Sequence, residues 1–372
     1  MRVALDGTPL LGQPTGVGAF VAGAVPALAE RGDLELTAYA LSLRGGRVLP
    51  ERLPRGVGAR TRPMPAGLLL TIWSRLDHPT ARWWTGAVDV VHGTNFAVPP
   101  APRRAAEVMT VHDLTPLRYP ELAYRRTRRF PDLVRCALRR GAWVHTPSAY
   151  VAAEVVDAFG ADPARVRAVH HGVPVATPAS PFPEIATDRP VWGSAPYVLA
   201  LGTIEPRKDL VTLVRAFDMV ADQVDDVRLV VAGPDGWGTV TVEREIVAAR
   251  HSRRIDRLGY VDATDRPRLV GGAAAYAYPS RYEGFGLPPL EAMAAGVPVV
   301  DSRAGALPEV LGEDAVAVEP GDVDGLAGAL ARVLQDGALR AELSERGRRR
   351  AGRFSWTRCA AGLAELYRDA AG

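Results

Sequence analysis

The chain has one lysine, Lys208, among its 45 lysine and arginine residues, and it lies in GTIEPRKDL, after an apolar run that ends at Gly202. An ammonium is compact and flexible where a guanidinium is planar, and phosphate binding is a frequent reason for that choice. Arg207 precedes it, and an apolar pattern of helical spacing follows, so a helix dipole adds positive charge at the same place. We predict that Arg207 and Lys208 hold a diphosphate. The alternative is a solvent-exposed basic pair at a turn.

Two carboxylates, Glu283 and Glu291, lie eight residues apart in SRYEGFGLPPLEAMAAG, which follows a predicted strand. Pro288 and Pro289 indicate that a helix starts there, because proline is tolerated in the first turn. This places Glu291 in the first turn. Backbone N–H groups of such a stretch can hold a phosphate, and carboxylates accept hydrogen bonds from sugar hydroxyls. The alternative is that Glu291 only stabilises the helix N-terminus.

A glycine-rich loop, GTPLLGQPTGVGAF, follows the first predicted strand. Gly16 and Gly18, with a helix starting after them, would offer backbone N–H groups to an anion. The loop resembles a dinucleotide fingerprint, but Val21 stands where the third glycine is expected and the loop is long. The sequence is compatible with two interpretations of this stretch, an anion-binding loop and a plain strand-to-helix connection.

The histidines supply one candidate site residue, His112 in VHDL, with a hydrogen-bonded core histidine as the alternative. His92 in VHGTN and the pair His170–His171 in AVHHGV lie at ends of predicted strands, and we interpret them as residues that line a cleft. No group of histidine, cysteine or acidic residues has the spacing of metal ligands. We therefore expect no metal, with the two cations after Gly202 in its place.

Apolar strands alternate with helical patterns through the whole chain. The strand-like stretches are RVALDG, ELTAYAL, DVVHGTN, EVMTVHDL, YVLALGT, VRLVVAGP, AYAYPS, VPVVDS and AVAVEP. The helix-like stretches are GVGAFVAGAVPALAERG, AYVAAEVVDAFG, LVTLVRAFDMVADQ, LEAMAAG and LAGALARVLQD. Such alternation indicates parallel sheets covered on both faces. The predicted fold class is α/β, with two Rossmann-like, doubly wound parallel-sheet domains facing a central cleft.

The domain boundaries follow from a segment, 175–196, that has five prolines and no periodicity. We predict an N-terminal domain at 1–175, a linker at 176–196 and a C-terminal domain at 197–355. The last helix, about 356–372, is expected to pack back on the N-terminal domain.

The composition is that of a globular protein, 47% hydrophobic and 23% charged, with no apolar run long enough to span a bilayer. A net charge of +3 is not the basic excess of a dedicated nucleic-acid binder. Two cysteines are too few for a disulfide framework, which favours a reducing cytoplasm. The N-terminus has no secretory signal pattern.

Seven arginines cluster between Tyr124 and Trp143, with apolar residues at helical spacing between them. These apolar residues are Phe130, Leu133, Val134, Ala137 and Leu138. One interpretation is a solvated helix with a core-facing stripe. The other is a surface for anionic lipid, at the inner face of a membrane, or for an acidic acceptor.

Three of the stretches resemble motifs of one family, in that family's order. SRYEGFGLPPLEAMAAGVPVV is similar to the signature of glycosyltransferase family 4, retaining enzymes of GT-B fold that include bacterial mannosyltransferases. LGTIEPRKDL resembles its phosphate-binding stretch, and VHDL resembles the histidine-bearing stretch of its N-terminal domain. The likeness runs from RVALDG to FSW near Trp356.

The resemblance implies roles for the matched residues. The implied catalytic residues are His112, Arg207, Lys208 and Glu283. The implied donor-binding residues are Gly16, Gly18, Gly202, Thr203, Arg207, Lys208, Phe285, Gly286, Leu287 and Glu291. Glu283 would contact hydroxyls of the transferred sugar, and Glu291 the ribose hydroxyls. Many relatives have an arginine where this chain has Thr203, so that charge is missing here.

The predicted function is retaining transfer of a hexose from a nucleoside-diphosphate sugar, with no cofactor. GDP-mannose is the favoured donor, and UDP-sugars are the alternative donors. The acceptor would be a glycan, a lipid-linked precursor or a small molecule bound by the N-terminal domain. The base of the donor would be recognised around 232–238 and 258–265. The alternatives are an NAD-type oxidoreductase and a non-catalytic sugar-nucleotide-binding protein.

Overall fold

The computed structural model describes residues 1–12, 15–173 and 195–372, and the side chains of residues 125 and 126 lie outside that description. The described residues divide into two compact units. The N-terminal unit comprises Met1–Gly172 and Phe354–Gly372, and the C-terminal unit comprises Val173–Arg353. The predicted linker, 176–196, lies outside the described residues except for its last two positions.

The N-terminal unit is built on a parallel sheet. Its described strands are β1 (Arg2–Asp6), β2 (Glu35–Tyr39), β3 (Gly58–Ala59), β4 (Val90–Gly93), β5 (Ala106–Thr110), β6 (Trp143–Thr146) and β7 (Val166–Ala168), in the order β3-β2-β1-β4-β5-β6-β7. Val3 of β1 lies opposite Leu36 of β2 and Val90 of β4. The strand order reverses between β1 and β4, the position at which doubly wound sheets bind ligands.

Helices cover both faces of this sheet. They are α1 (Gly16–Ala29), α2 (Ala66–Trp73), α3 (Arg82–Thr85), α4 (Thr115–Arg118), α5 (Phe130–Arg139), α6 (Ala149–Phe159) and α14 (Trp356–Ala371). Along β1, Ala4 packs in one apolar cluster while Val3 and Leu5 pack in another, as the two-residue period of a strand requires. Helix α14 packs against α1 and adds Leu363 and Tyr367 to the second cluster.

The C-terminal unit repeats the plan. Its described strands are β8 (Tyr197–Leu201), β9 (Arg228–Ala232), β10 (Ile255–Gly259), β11 (Ala275–Tyr278), β12 (Val299–Asp301) and β13 (Val316–Ala317), all parallel in the order β10-β9-β8-β11-β12-β13. Its helices are α7 (Leu210–Ala221), α8 (Thr239–Ala248), α9 (Arg266–Gly271), α10 (Leu287–Ala294), α11 (Leu307–Leu311), α12 (Val323–Gln335) and α13 (Gly337–Ala351). Val198, Phe217 and Leu330 share its core. The order reverses between β8 and β11.

Each strand-like and helix-like stretch predicted above contains an element of the predicted type. The α/β fold class with two Rossmann-like parallel-sheet domains is confirmed.

The stretch Tyr124–Trp143 is less helical than predicted. Its α-helix begins only at Phe130, with Pro131 in the first turn, and Trp143 already belongs to β6. Leu133, Val134 and Ala137 are buried, so the apolar stripe of α5 faces the core. Among the described helices, none is long and apolar enough to cross a bilayer.

Candidate active site

The predicted cations and the first predicted glutamate follow two neighbouring strands. Arg207 and Lys208 lie in a single 3-10 turn, Pro206–Lys208, after β8, and Glu283 lies in the loop after β11. Strands β8 and β11 pair in parallel at the point where the strand order reverses. Side chains separated by 75 residues in sequence therefore meet at one edge of the sheet.

The loop after β8 is held by its backbone. The N–H of Gly202 donates to the carbonyl of Ala232 at 2.9 Å, and that of Ile204 to Pro234 at 3.1 Å. These bonds bring the stretch 232–238, predicted to recognise the base, beside the cation-bearing loop. Asp209 ends the turn with a φ of 48°, and its buried carboxylate pairs with Arg281 at 3.0 Å.

Glu283 binds both cations at once. Its Oε1 lies 2.7 Å from Lys208 Nζ, and its Oε2 lies 2.7 Å from Arg207 Nη1. Arg207 also contacts Glu205 at 3.3 Å and donates to the carbonyl of Tyr282 at 2.9 Å. The side chains of Lys208 and Arg207 are only 13% and 14% exposed, which excludes the solvent-exposed turn as an interpretation. We call Arg207, Lys208 and Glu283 the ion cluster.

The protonation states of the ion cluster follow from burial and charge together. Burial raises the pKa of Glu283, but the charges of Arg207 and Lys208 outweigh it and lower that pKa to about 2. Burial lowers the pKa of Lys208, while the charge of Glu283 opposes that effect. We infer a carboxylate bound to two cations at neutral pH, since Glu283 titrates far below it.

Sequence reasoning missed Tyr278, the last residue of β11. Its hydroxyl accepts a hydrogen bond from Lys208 Nζ, and Nζ lies 4.4 Å from the centroid of its ring. The alternation of AYAYPS predicts a buried strand residue, but nothing in the sequence pairs it with a lysine 70 positions earlier.

A small pocket, open to solvent, lies at this edge of the sheet. Residues that line it include Gly202, Thr203, Lys208, Leu210, Tyr278 and Pro279. The predicted donor-binding residues Gly202, Thr203 and Lys208 therefore share one pocket.

Glu291 differs from the prediction in its position on the helix. Helix α10 begins at Leu287 rather than at Pro288, so Glu291 is its fifth residue and lies outside the first turn. The cause is Gly286, whose φ of 98° ends the loop in a left-handed conformation that favours glycine. Glu291 forms an ion pair with Arg266, a partner the sequence did not indicate. Burial raises the pKa of Glu291, and Arg266 opposes that change.

Three of the predicted donor-binding residues, Phe285, Gly286 and Leu287, surround this helix start. Leu287 is the first residue of α10 and Gly286 its N-cap, while the side chains of Phe285 and Leu287 are buried. The first N–H groups of a helix have no intrahelical acceptor, so the position suits an anion.

His112 lies just after β5 in the N-terminal unit. Its Nε2 is 2.8 Å from the carbonyl oxygen of Thr94, which can only accept, so Nε2 carries the proton. Burial lowers the pKa of His112, which keeps the ring neutral and leaves Nδ1 as an acceptor. The ring packs against Phe20, Phe96 and His171 at 5.5, 6.1 and 5.7 Å between centroids.

His92 does not line a cleft as predicted. It is fully buried, its Nδ1 lies 2.7 Å from Tyr367 Oη, and its Nε2 lies 2.8 Å from Thr110 Oγ1. His171 is also buried and stacks on Phe20 at 4.4 Å, whereas His170 is exposed. The rings of His92 and His171 instead pack in the interior against α1 and α14.

The glycine loop also needs a correction. Helix α1 begins at Gly16 itself, so Gly16 and Gly18 lie in its first turn rather than before it. Thr15 is the N-cap, and its Oγ1 accepts from the N–H of Gly18 at 3.2 Å. The Gly18 amide therefore already has a partner within the chain.

In the part of the chain that the structure describes, no group of three or more histidine, cysteine or acidic side chains could hold a metal ion.

Comparison with known proteins places these features in a family. A model described as Glycosyltransferase Family 4 matches residues 14–177, and one described as Glycosyl transferases group 1 matches residues 183–350. O-antigen chain mannosyltransferase B of Escherichia coli is 31% identical over 303 residues, which cover 79% of this chain and 78% of that protein. D-inositol 3-phosphate glycosyltransferase of Salinispora arenicola is 34% identical over 236 residues, 59% of this chain and 53% of that protein.

Solved structures agree in fold. The Anabaena protein HepE in complex with UDP-glucose has a TM-score of 0.75 at 18% identity and covers 99% of this chain and 100% of its own. Sucrose-phosphate synthase from Thermosynechococcus elongatus has a TM-score of 0.73 at 21% identity, with 99% and 98% covered. The two family models together match residues 14–177 and 183–350, and the Escherichia coli relative covers 79% of the chain. The chain therefore belongs to glycosyltransferase family 4 and has the GT-B fold.

Proposed function

We propose that this glycosyltransferase moves a hexose from a nucleoside-diphosphate sugar with retention of anomeric configuration, and that the ion cluster binds the diphosphate. The observation that carries the proposal is the pairing of Lys208, the one lysine of the chain, with Arg207 and Glu283 at the β8–β11 reversal. Membership of the family sets aside the oxidoreductase and the non-catalytic binding protein.

The cations have a clear task in this reaction. Departure of the diphosphate builds negative charge on the leaving oxygen, and fixed cations stabilise that charge most in the transition state. Arg207 and Lys208 are already desolvated and held in place, so little reorganisation accompanies the reaction. No metal is required in this scheme.

Glu283 changes partners when the donor binds. The diphosphate brings its own negative charge to Arg207 and Lys208, so one carboxylate oxygen becomes available to a hydroxyl of the transferred sugar. Glu283 is a poor nucleophile because two cations hold its charge. This supports attack from the face of the leaving group, with a diphosphate oxygen taking the proton of the acceptor.

The neutral ring of His112 suits binding of a sugar hydroxyl. Its Nδ1 is an acceptor, while its lowered pKa makes it a weak base at neutral pH. We assign it the position beside the transferred sugar, as a residue that orients rather than deprotonates.

GDP-mannose is the donor that we favour, and UDP-glucose is the second. The first choice is supported by a relative named as an O-antigen chain mannosyltransferase, and the second by HepE in complex with UDP-glucose. We propose Glu291 for the ribose hydroxyls, with Arg266 holding its carboxylate.

Hydrolysis of the donor without acceptor tests this proposal directly. We expect the protein to release nucleoside diphosphate slowly from GDP-mannose, with the hexose first appearing as the retained anomer in proton NMR spectra. Lys208→Ala should abolish the release, while Arg215→Ala, which removes an exposed cation of the same unit, should keep it. If the hexose first appears as the inverted anomer, the proposal of retention is wrong. If the protein hydrolyses UDP-glucose and not GDP-mannose, the donor is a UDP-sugar.

For the acceptor we propose a glycan carried on a membrane lipid, with the protein at the cytoplasmic face. The apolar face of α5 is in the core, but α2 and the turn after it carry Leu68, Ile72 and Leu76 at helical spacing, with Leu68 60% and Leu76 62% exposed. Helix α5 packs beside it, since Cys136 Sγ donates to the carbonyl of Ser74 at 3.0 Å. Arginines of α5 suit anionic headgroups, and the leucines the acyl layer.

Vesicle co-sedimentation tests the membrane contact. We expect binding to phosphatidylglycerol-containing vesicles and not to pure phosphatidylcholine. Leu68→Glu with Leu76→Glu should remove it, and Val247→Glu, at an 81% exposed position of the other unit, should not. Unchanged binding by the double variant would refute this surface.

A further inference from the structure

Two tyrosines of β11 point toward the loop after β8. Tyr276 and Tyr278 lie on the same face of the strand, with ring centroids 6.3 Å apart. The hydroxyl of Tyr276 donates to the carbonyl of Leu201 at 3.1 Å, and the hydroxyl of Tyr278 contacts Lys208 Nζ. One tyrosine thus holds the backbone at the end of β8, and the other holds the side chain that follows it.

The ammonium of Lys208 can donate three hydrogen bonds. One is donated to Tyr278 Oη and one to Glu283 Oε1. The centroid of the Tyr278 ring lies 4.4 Å from the same nitrogen, so the hydroxyl edge of the ring faces the ammonium. Both partners come from β11 or the loop after it, and Tyr278 is itself buried, so its ring has a fixed position.

The two partners of Lys208 differ in charge, and the difference matters when a diphosphate arrives. Glu283 neutralises the ammonium, so it competes with the ligand for the same charge. The hydroxyl of Tyr278 is neutral, because burial raises its pKa well above the ordinary value. It can therefore orient the ammonium without reducing the attraction to phosphate.

We propose that Tyr278 is a positioning residue that fixes the Lys208 ammonium toward the diphosphate of the donor when Glu283 turns to the sugar. The inference deepens the proposed function and rests on it for the identity of the ligand. The contact between Tyr278 and Lys208 does not depend on the ligand and can be tested by itself.

The lone lysine gives a direct probe of this contact. Protein grown with lysine labelled with carbon-13 at the ε position gives one lysine signal, that of Lys208. In the wild type we expect a nuclear Overhauser contact between its ε protons and a tyrosine ring, because Nζ lies 4.4 Å from the ring centroid. Absence of that contact in the wild type would overturn the proposal without any variant.

Tyr278→Phe keeps the ring and removes only the hydroxyl. Tyr197→Phe is its matched control, because it removes a buried hydroxyl of the same unit that donates to the carbonyl of Leu269. In Tyr278→Phe we expect the pKa of Lys208 to fall further, because a hydrogen bond to the charged form is lost. The affinity for GDP or UDP, whichever the wild type binds, should fall roughly tenfold, the size expected for a hydrogen bond to a charged group. Tyr197→Phe should leave the lysine titration and the nucleotide affinity unchanged.

The outcomes separate this proposal from the function on which it rests. If the lysine titration does not respond to Tyr278→Phe, the positioning role is refuted. It is equally refuted if the titration responds while nucleotide affinity does not. If the wild type binds no nucleoside diphosphate, the proposed function fails instead, and the NMR result still decides the contact.

Discussion

Replacing Glu283 by glutamine removes one charge from the ion cluster and almost no volume. Burial raises the pKa of this carboxyl, yet Arg207 and Lys208 bring it to about 2 against an ordinary 4.5. At about 1.4 kcal/mol per pKa unit, that difference corresponds to roughly 3 kcal/mol of folding free energy at neutral pH. Removing one partner of a buried ion pair costs about 3–5 kcal/mol in other proteins, a similar size.

We therefore expect Glu283→Gln to lower the opening free energy of β8 and β11 by about 3 kcal/mol at pH 7. The pKa of Glu283 is depressed, so its contribution is present above pH 4.5 and is lost as the pH falls toward 2. Hydrogen exchange followed by mass spectrometry on peptides of these strands measures it. The gap between wild type and variant should narrow below pH 4.5.

Glu291→Gln is the matched control, because it breaks one ion pair whose arginine side chain is 30% exposed. We expect it to cost little at neutral pH, because burial raises the pKa of Glu291 and the charge of Arg266 offsets that effect only in part. Equal effects of the two variants, or no pH dependence of the Glu283→Gln effect, would refute the assignment of a doubly paired carboxylate.

Three further predictions follow from the same contacts. Gly305→Ala should destabilise the C-terminal unit by about 3 kcal/mol in hydrogen exchange, because Gly305 has a φ of 60° and an added Cβ would lie 2.3 Å from the carbonyl oxygen of Glu283. Lys208→Arg should weaken nucleoside diphosphate binding about tenfold in calorimetry although charge is kept, because a planar guanidinium does not fit between Tyr278 and Glu283. Acid should destabilise the N-terminal unit, since burial lowers the pKa of His145 to about 3. The folded unit keeps this ring neutral, whereas the unfolded chain takes up a proton below a pH of about 6.5. In chemical unfolding, the free energy of unfolding should therefore fall by about 1.4 kcal/mol per pH unit between pH 6.5 and about 3.

The sequence allowed Lys208 to be recognised because a single lysine in an arginine-rich chain stands out without any knowledge of the fold. It could not show that Glu283 neutralises this lysine. That contact depends on β11 lying beside β8, which the order of elements along the chain does not determine. Tyr278 was missed for the same reason, since a buried tyrosine in a strand has no sequence feature that identifies its partner.

The errors at helix starts have a local cause. Gly286 takes a left-handed φ and Thr15 caps α1, and each moves the first helical residue earlier than the prolines or glycines indicated. A threonine three residues before Gly18 was a readable N-cap signal. The conformation of Gly286 was not readable, because glycine is compatible with several conformations in that loop.

The most direct test of the central claim is a thermal-shift panel of GDP, UDP, ADP and dTDP with their common sugar conjugates, on wild type, Lys208→Ala and Arg215→Ala. A ligand that binds only the folded state raises the melting temperature by mass action. We predict that one nucleotide series stabilises the wild type and Arg215→Ala, and that the effect disappears in Lys208→Ala. A wild type that no nucleotide stabilises, or a Lys208→Ala variant that responds like the wild type, would contradict the account.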